Sequence, residues 1–439
     1  MHRILKVLWE FISSTARIGL FVVGASIIVS SNGVPTRTVW GMKSQRRDSI
    51  AAQNISEGET SRVRLRATLT ATRSRRDFAA LTFSPDGRTL ATGGDTHPAK
   101  LWDVSSGQLR QTLNKHQASI RVAFSPDGRM LATSGDKKVT LWNTETGELK
   151  YTLTGSAQRL FGFTYWIAFS LDGRLLLASG SDSKARLYET ATGQLKATLA
   201  CQGGWMLAVF SPDGKVIATA CNRDKTPKLW DVATGQVRAT LTGHSAGVTS
   251  ISFSPDGRLV ATESLDDTVN LWESETGKLR AELAGHHDTI YQTVFSSDGR
   301  FLATASRDGT AMLWDVASGR LKHTLSGYGY LVQRVAFSPD GRTVAAGGKE
   351  VKLWNVDTGR LIATLGGHRN DIEQIAYSPD GRVLVTASKE SARVWNAATG
   401  ELITVLDSAR YPVAFSPDGR TLATAGDNRT ILLWDVAVK

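Results

Sequence analysis

Short runs in which apolar and polar residues alternate recur along the chain, about 42 residues apart. In the clearest copy, residues 236–241, 248–253, 259–262 and 268–272 are four such runs, rich in β-favouring residues. Between the second and third runs stands Ser254-Pro255-Asp256-Gly257, in which Pro presets φ, Asp bonds to nearby backbone and Gly accepts a left-handed conformation. The pattern therefore predicts a repeat of four short strands.

Two positions that are aromatic in every copy show how many copies the chain contains. The residue before the turn is aromatic in every copy, at Phe83, Phe124, Phe169, Phe210, Phe253, Phe295, Phe337, Tyr377 and Phe415. The residue that closes the fourth strand is aromatic too, at Trp102, Trp142, Tyr188, Trp230, Trp272, Trp314, Trp354, Trp395 and Trp434. Successive members of the two series are 38 to 46 residues apart. A unit of this size cannot bury its apolar face alone, so the copies are predicted to stack as one array.

The motifs of the repeat resemble those of WD40-repeat β-propellers, in particular the highly regular arrays of bacteria. The resemblance rests on Gly-His pairs at Gly243-His244, Gly285-His286 and Gly367-His368 and on Trp-Asp pairs at Trp102-Asp103, Trp230-Asp231, Trp314-Asp315 and Trp434-Asp435. It runs from about residue 63 to residue 434, and nine copies make it far more specific than one dipeptide match.

The family resemblance implies a hydrogen-bonded tetrad of His, Ser or Thr, Asp and Trp inside each blade. Full tetrads are implied at His116/Ser134/Asp136/Trp142, His244/Ser264/Asp266/Trp272 and His286/Ser306/Asp308/Trp314. The other copies depart from the pattern: among them, the eighth has Glu390 as its acid, the seventh has Tyr328 in place of His, and the third ends in Tyr188. Such blades are expected to depend on their neighbours for stability.

The two ends of the repeat array complement each other. Residues 63–70 match the first run of a unit, whereas only five residues follow Trp434. The N-terminal strand should therefore complete the last blade and close the ring. The predicted fold is all-β: nine four-stranded blades over residues 63–439, preceded by one N-terminal apolar helix. A seven-bladed ring with two stray units would leave apolar faces unpaired, although nine exceeds the usual four to eight blades.

The basic charge of the chain is concentrated at its N-terminus. Of the net charge of +11, residues 1–76 contribute 13 Lys and Arg against 4 Asp and Glu, and 39 against 37 remain for the rest. The array therefore has no basic excess of the kind that nucleic-acid binding requires, and no nucleic-acid partner is expected.

Residues 1–34 are predicted to be a signal anchor or a signal peptide. Arg3, Lys6 and Arg17 precede an apolar run of 12 residues at 18–29, a length that leaves both classes open. Basic residues also follow the run, at Arg37, Lys43, Arg46 and Arg47. We expect a membrane-anchored protein with its propeller outside the cytoplasm, or a secreted one if the leader is cleaved. Residues 35–62 lack periodicity and are predicted to be a flexible basic linker.

No catalytic or metal-binding motif stands out. The sequence has no Gly-rich phosphate loop, no His-x-x-x-His, no Cys-x-x-Cys and no nucleophile elbow, so no cofactor, metal or enzyme activity is predicted. The Asp of the turn recurs in every copy, which indicates backbone geometry rather than an active site. The alternative is an exported propeller enzyme, or a module that binds carbohydrate or another small ligand in its central channel. Asp371 and Glu373 are the adjacent acids that could serve it.

The favoured function is a non-catalytic scaffold that presents the loops of one face to a protein partner. In WD40 propellers, residues four and six places before the repeat's Phe, and those just before the tetrad Asp, reach that face. Together with an aromatic insertion in the third copy, they give the candidate contacts Phe161, Phe163, Tyr165, Met206, Arg223, Tyr291, Arg307, Leu331 and Tyr411. Aromatic, Met and Arg side chains are typical of binding hot spots. The alternative is that they pack the inner strands.

Cys201 and Cys221 both belong to the fourth copy and are predicted to lie at the same end of one blade. Two interpretations stay open: a disulfide, which an exported protein could form, or two buried small residues. A Cα separation above about 7 Å would exclude the bridge.

Overall fold

The structure, a computed structural model, describes residues 62–70, 78–94, 97–114, 116, 121–135, 138–153 and 164–437. In this part of the chain the regular elements are β-strands, apart from one short 3-10 helix at Asp427–Arg429. The strands form nine antiparallel sheets of four, which confirms the predicted nine-bladed array.

Each sheet is one blade with an inner, a second, a third and an outer strand, and the blades are numbered 1 to 9 along the chain. The inner strands are β2 (Phe78–Phe83), β6 (Arg121–Phe124), β10 (Thr164–Phe169), β14 (Met206–Phe210), β18 (Val248–Phe253), β22 (Ile290–Phe295), β26 (Arg334–Phe337), β30 (Ile372–Tyr377) and β34 (Ala409–Phe415). The second strands are β3 (Thr89–Gly94), β7 (Met130–Gly135), β11 (Leu175–Gly180), β15 (Val216–Cys221), β19 (Leu259–Ser264), β23 (Phe301–Ser306), β27 (Thr343–Gly347), β31 (Val383–Ser388) and β35 (Thr421–Gly426). The third strands are β4 (His97–Asp103), β8 (Lys138–Asn143), β12 (Lys184–Glu189), β16 (Lys228–Asp231), β20 (Val269–Glu273), β24 (Ala311–Asp315), β28 (Val351–Asn355), β32 (Ala392–Asn396) and β36 (Thr430–Ala437). The outer strands are β5 (Leu109–Leu113), β9 (Leu149–Leu153), β13 (Leu195–Ala200), β17 (Val237–Thr240), β21 (Leu279–Leu283), β25 (Arg320–Leu325), β29 (Leu361–Leu365), β33 (Leu402–Leu406) and, in blade 9, β1 (Arg62–Thr70).

Side-chain hydrogen bonds shape the turn between inner and second strands. In blade 5, Ser254 Oγ donates to Asp256 Oδ1 at 2.6 Å and accepts from Leu259 N at 2.9 Å. Asp256 Oδ1 also accepts from Arg258 N at 3.1 Å, and Gly257 has φ +72°. The Asp contacts recur in all nine turns. The repeated acid thus organises its own turn, as Asp commonly does.

The N-terminal strand closes the ring, as predicted. β1 pairs antiparallel with β36, with Leu69 opposite Ile431 and Thr70 opposite Thr430. The guanidinium of Arg66 lies 3.0 Å from the carboxylate of Asp435 across the same pair. The predicted leader (1–34) and the predicted linker (35–62) lie outside the described residues, except that residue 62 already belongs to β1. Within the described part of the chain no helix is long and apolar enough to span a bilayer.

The core lies between neighbouring blades. One cluster joins Val216 and Leu229 of blade 4 to Val260 and Trp272 of blade 5. Inner and second strands such as β18 and β19 are buried throughout, whereas in the outer strand β21 only Leu283 is fully buried. Burial therefore decreases from the inner strands to the rim, as expected for stacked repeats that share their apolar faces. We call the end where second strands turn into third strands, and outer strands lead to the next blade, the top end.

Candidate protein-interaction face

Buried hydrogen-bond networks fix the top end of blades 5 and 6. In blade 5, His244 Nε2 lies 2.8 Å from Thr262 Oγ1, and Trp272 Nε1 donates to the same hydroxyl at 2.7 Å. His244 Nδ1 lies 3.0 Å from Asp266 Oδ2. Blade 6 repeats the network with His286, Thr304, Asp308 and Trp314. In both blades it ties the loop before the inner strand to the turn after the second strand.

The hydroxyl of this network is Thr262, not Ser264 as the resemblance implied. Val260 lies opposite Trp272 in the ladder, so the next residue on the same face, Thr262, is the one that the indole reaches. Ser264 stands at the end of the strand, where its hydroxyl donates to a backbone carbonyl of the loop before the inner strand. Ser306 makes the equivalent bond in blade 6.

Blade 2 carries a variant of the network. His116 Nε2 lies 2.9 Å from Thr140 Oγ1, and Trp142 Nε1 donates to the same hydroxyl at 2.9 Å. Ser134, the predicted hydroxyl, is buried in the second strand, and the predicted acid Asp136 lies outside the described residues.

The electrostatics of these networks favour a structural role. Burial disfavours charge on Asp266, but hydrogen bonds from Thr268 and from the Ser245 backbone N–H, with the adjacent imidazole, lower its pKa to about 2. In blade 6, burial lowers the pKa of His286 although Asp308 is beside it. Near neutral pH each carboxylate is therefore ionised and hydrogen-bonded, and the imidazole nitrogens of both networks are occupied. Neither is arranged to bind a metal or to transfer a proton to a substrate.

Blades that depart from the pattern compensate locally. In blade 7 the threonine position is Ala346, and the hydroxyl that accepts the bond from Trp354 Nε1 comes from Tyr328, at 2.8 Å. Burial raises the pKa of Tyr328, so this hydroxyl stays neutral. In blade 3 the closing aromatic is Tyr188, which is buried. The Tyr at position 328 thus replaces the hydroxyl as well as the imidazole.

Blade 8 keeps the imidazole and changes its second partner. His368 Nε2 lies 2.8 Å from Thr386 Oγ1, and His368 Nδ1 lies 2.9 Å from Ser391 Oγ. The predicted acid Glu390 is exposed and does not take that place. Burial, with the charge of Arg393 nearby, lowers the pKa of His368 to about 4. A neutral imidazole bonded to two hydroxyls results.

Blade 4 has a disulfide where blades 5 and 6 have the imidazole. Cys201 and Cys221 are bonded, with their Cα atoms 6.4 Å apart. The acid of the network persists as Asp224, whose carboxylate accepts from the backbone N–H of Gln202 at 3.1 Å. Of the two interpretations left open by the sequence, the bridge is the one formed, and it joins the same two segments that His244 and its partners join in blade 5.

Two of the predicted contact residues are core residues. Met206 is 0% exposed and packs with Leu187 and Ile217 between blades 3 and 4, and Tyr291 is 7% exposed. Both lie in inner strands, four places before the aromatic of the repeat. Because both side chains are buried, the prediction of surface exposure is wrong for these two, and the packing alternative holds for Met206.

The other predicted contacts have varied positions. Arg223 is exposed at the top end of blade 4, and Arg307, Leu331 and Tyr411 are partly exposed. Phe161, Phe163 and the side chain of Tyr165 lie outside the described residues. That any of them binds a partner stays a prediction.

Tyr330, which was not predicted from the sequence, is the most exposed large apolar side chain of the described residues, at 65%. It stands in the loop that leads to the inner strand of blade 7, next to Gly329 and Leu331. Lys349 Nζ lies 4.7 Å from the centre of its ring, a cation–π contact from the next turn of the blade. Counting six residues back from Phe337, as in the other copies, selected Leu331 instead. The usable signal was the Gly-Tyr-Gly-Tyr sequence in place of the usual Gly-His.

Asp371 and Glu373, the acids proposed for a site in the central channel, differ in exposure and in their partners. Asp371 is exposed, whereas Glu373 is 8% exposed, and its two carboxylate oxygens lie 3.8 Å from Arg334 Nη2 and 3.3 Å from Lys389 Nζ. Glu373 is thus paired with two cations, whereas a general acid must be free to donate its proton to a substrate. Among the described residues no three His, Cys, Asp or Glu side chains are grouped as metal ligands would be.

Comparison with known proteins agrees with this geometry. The profile of the WD domain, G-beta repeat, matches residues 65–103, 107–143, 147–189, 193–231, 235–273, 277–315, 319–355, 359–396 and 413–435. The chain is also similar to Protein tipD of Dictyostelium discoideum, with 32% identity over 87 residues. That match spans 19% of this chain and 14% of tipD, so it concerns a small part of the relative. The nine matched segments follow the nine blades, and the chain belongs to the WD40-repeat family.

Proposed function

We propose that this protein is a non-catalytic scaffold whose top end binds a protein partner around Tyr330. WD40 propellers are typically interaction scaffolds without catalytic activity. The observation that carries the proposal is the 65% exposure of Tyr330 in a ring whose other described Phe, Tyr and Trp side chains are buried or partly buried. Tyr combines a large apolar surface with a hydroxyl and loses little rotamer freedom on binding, which is why it is frequent at hot spots.

The surroundings of Tyr330 extend this contact over two blades. A Cβ added at Gly309 would lie 3.5 Å from the carbonyl oxygen of Tyr330, so the loop passes close to the turn of blade 6 that begins at Arg307. The backbone N–H of Val332 donates to Ser306 O at 2.9 Å and fixes the loop to the same turn. Arg307 and Tyr330 are thus presented on one supported surface, and a partner does not have to order a loose loop to bind them.

A membrane-tethered propeller outside the cytoplasm is the second part of the proposal. The apolar run at residues 18–29 supports it, with a secreted form as the alternative. The Cys201–Cys221 disulfide adds support, because such bridges persist in oxidising compartments and are rare in the cytosol. Proteinase treatment of intact cells tests the topology: the propeller should be digested from outside, and full protection until lysis would refute an external location.

Capture from membranes tests the interaction face. We expect a partner retained by the wild-type chain to be lost with Tyr330→Ser. The matched control is Leu279→Ser, which removes a 39% exposed apolar side chain from the rim of blade 5 and should leave capture unchanged. Circular dichroism should show both variants folded. Equal retention by Tyr330→Ser and wild type would exclude Tyr330 as an anchor.

A further inference from the structure

Two exposed apolar side chains lie in loops of the top end. Leu265, in the turn between the second and third strands of blade 5, is 42% exposed, and Tyr330 is 65% exposed. The other exposed large apolar side chains of the described residues lie in outer strands or, in the case of Leu171, in a turn at the opposite end. In blades 4, 6 and 8 the residue before the acid of the top turn is a cation, at Arg223, Arg307 and Lys389. Leu265 thus replaces a charged residue of the repeat with exposed apolar surface, which is typical of an interaction site.

The top turn of blade 6 lies between these two side chains. The loop that carries Tyr330 is hydrogen-bonded to this turn. On the other side of the turn, the charges of Asp288 and Asp308, both of blade 6, act on Asp267, which stands two residues after Leu265. A partner that covers both apolar side chains therefore passes over the carboxylates between them.

The surface between Leu265 and Tyr330 is negatively charged. The segments that form it are 264–268, 286–289 and 306–310, and their acids are Asp266, Asp267, Asp288 and Asp308. In these three segments Arg307 is the only Lys or Arg, and its guanidinium lies 3.7 Å from the carboxylate of Asp288. Lys349 contacts the ring of Tyr330 at the edge of this surface. Four acids against one cation leave an excess of negative charge, which favours a basic partner over an acidic one.

Asp267 is the acid that the fold does not compensate. In the described part of the chain, burial and the negative charges of Asp288, Asp266 and Asp308 raise the pKa of its carboxyl group. Its φ is +63°, a left-handed conformation for which blade 6 uses Gly309. Its charge and its conformation both destabilise the turn, so the turn itself gains nothing from an acid here. A cation supplied from outside would replace repulsion by attraction.

We propose that the partner binds through one segment in which a Lys or Arg stands between two apolar residues, with the apolar residues on Leu265 and Tyr330 and the cation on Asp267. This inference rests on the proposed function, because it takes Tyr330 to be part of the interface. The apolar contacts remove two exposed side chains from water, and the ion pair sets the sign of charge that the partner must carry. An acidic segment would meet four carboxylates and be repelled.

Selection of random peptides displayed on phage, with the full-length chain in mild detergent as bait, tests the partner chemistry. We expect the enriched peptides to carry Lys or Arg between two apolar residues and to be lost when Tyr330→Ser is the bait. Peptides that require Tyr330 but are neutral or acidic would overturn this inference and leave the proposed function standing. If no enriched peptide depends on Tyr330, the proposed function fails as well.

Substitutions in the chain then separate the charge from the apolar contact. An enriched peptide labelled with fluorescein should bind about five-fold more weakly to Asp267→Asn, and this difference should shrink as the NaCl concentration is raised. It should bind about ten-fold more weakly to Leu265→Ser. Asn has the size of Asp and tolerates the left-handed conformation, so the turn should stay folded, and circular dichroism checks this for both variants.

The matched control is Asp357→Asn, which removes an exposed acid from the opposite end of blade 7 and should leave peptide binding unchanged. Wild-type affinity of Asp267→Asn for the peptide would overturn the role of the cation. Wild-type affinity of Leu265→Ser would overturn the second apolar contact, because the segment would then end at Tyr330.

Discussion

Glu263 is a buried acid between blades 5 and 6. It lies in β19 and is 1% exposed. Thr249 Oγ1 of the inner strand donates to Oε1 at 3.1 Å, and Thr293 Oγ1 of blade 6 donates to Oε2 at 3.0 Å. No charged group contributes to the shift of its pKa. The other eight copies have Gly, Ala or Ser at this place, so the acid is an exception to the repeat.

The raised pKa of Glu263 determines how much ionisation of this acid lowers the free energy of unfolding. Burial raises the pKa of Glu263 from 4.5 to about 7, against the effect of the two hydroxyl bonds. Below pH 4.5 the acid is protonated in both the folded and the unfolded state, so its ionisation does not lower the free energy of unfolding. Between about pH 4.5 and 7 the unfolded chain ionises while the folded chain does not, so stability falls. Above about pH 7 the loss is complete, at about 3 kcal/mol.

Glu263→Gln isolates this contribution. The amide has the size of the protonated acid and can bond to the same hydroxyls, but it does not titrate. Relative to the wild type, the variant should gain about 3 kcal/mol as the pH is raised from about 4 to about 8. For cooperative unfolding of a ring this size, that is a difference in Tm of about 4 °C. Circular dichroism melts of both proteins across the pH range measure it.

A second acid of the same blade is the control. Glu282 is exposed in the outer strand β21, and Glu282→Gln should give melting temperatures parallel to the wild type at every pH. If Glu263→Gln is also parallel to the wild type, burial does not raise the folded-state pKa of Glu263 and the expected destabilisation is refuted. A gain that grows toward acid pH would contradict its sign.

Three further substitutions test the networks. Tyr328→Phe removes the acceptor of the Trp354 indole and should lower the unfolding free energy by about 1–3 kcal/mol, seen as a lower denaturant midpoint. Cys201→Ser should cost about 3 kcal/mol, since the bridge spans 20 residues, and a reductant should then destabilise the wild type but not the variant in thermal melts. Asp266→Asn should destabilise at pH 7 by about 1–3 kcal/mol because a charged acceptor beside His244 is lost. The difference should narrow in melts as the pH falls from 3.8 to about 2, where the native carboxylate is protonated.

The blade number and the closure of the ring could be predicted because they depend on local signals. Alternation with period two, an aromatic before each turn and a left-handed Gly in the turn fix each hairpin without reference to the rest of the chain. The match between residues 63–70 and the other outer strands then allowed one closure only. β1 pairs with β36 for the same reason that β21 pairs with β20: both outer strands present the same alternation to the same kind of neighbour.

Side-chain partners were harder to predict, since an error of two residues stays on the same face of a strand. Ser264 and Thr262 both fit the hydroxyl position by pattern, and only the ladder register places the indole next to Thr262. Met206 was wrongly predicted to be exposed. The equivalent position reaches the surface in related propellers, whereas here the Met206 side chain packs between blades 3 and 4. Tyr330 was missed because its loop deviates from the common offset.

Because the repeat occurs nine times, a residue that departs from it can be compared with the residues at the same position in the eight other copies. These departures fall into two kinds, buried and exposed. A buried exception must be compensated within the fold: Ala346 removes a hydroxyl, and Tyr328 restores one to the same indole. An exposed exception has no such requirement. Tyr330 is such an exception, 65% exposed in a loop that has lost the usual Gly-His pair. Exceptions of the second kind therefore point to contacts outside the described ring, and the capture experiment with Tyr330→Ser asks whether that contact is with a partner protein.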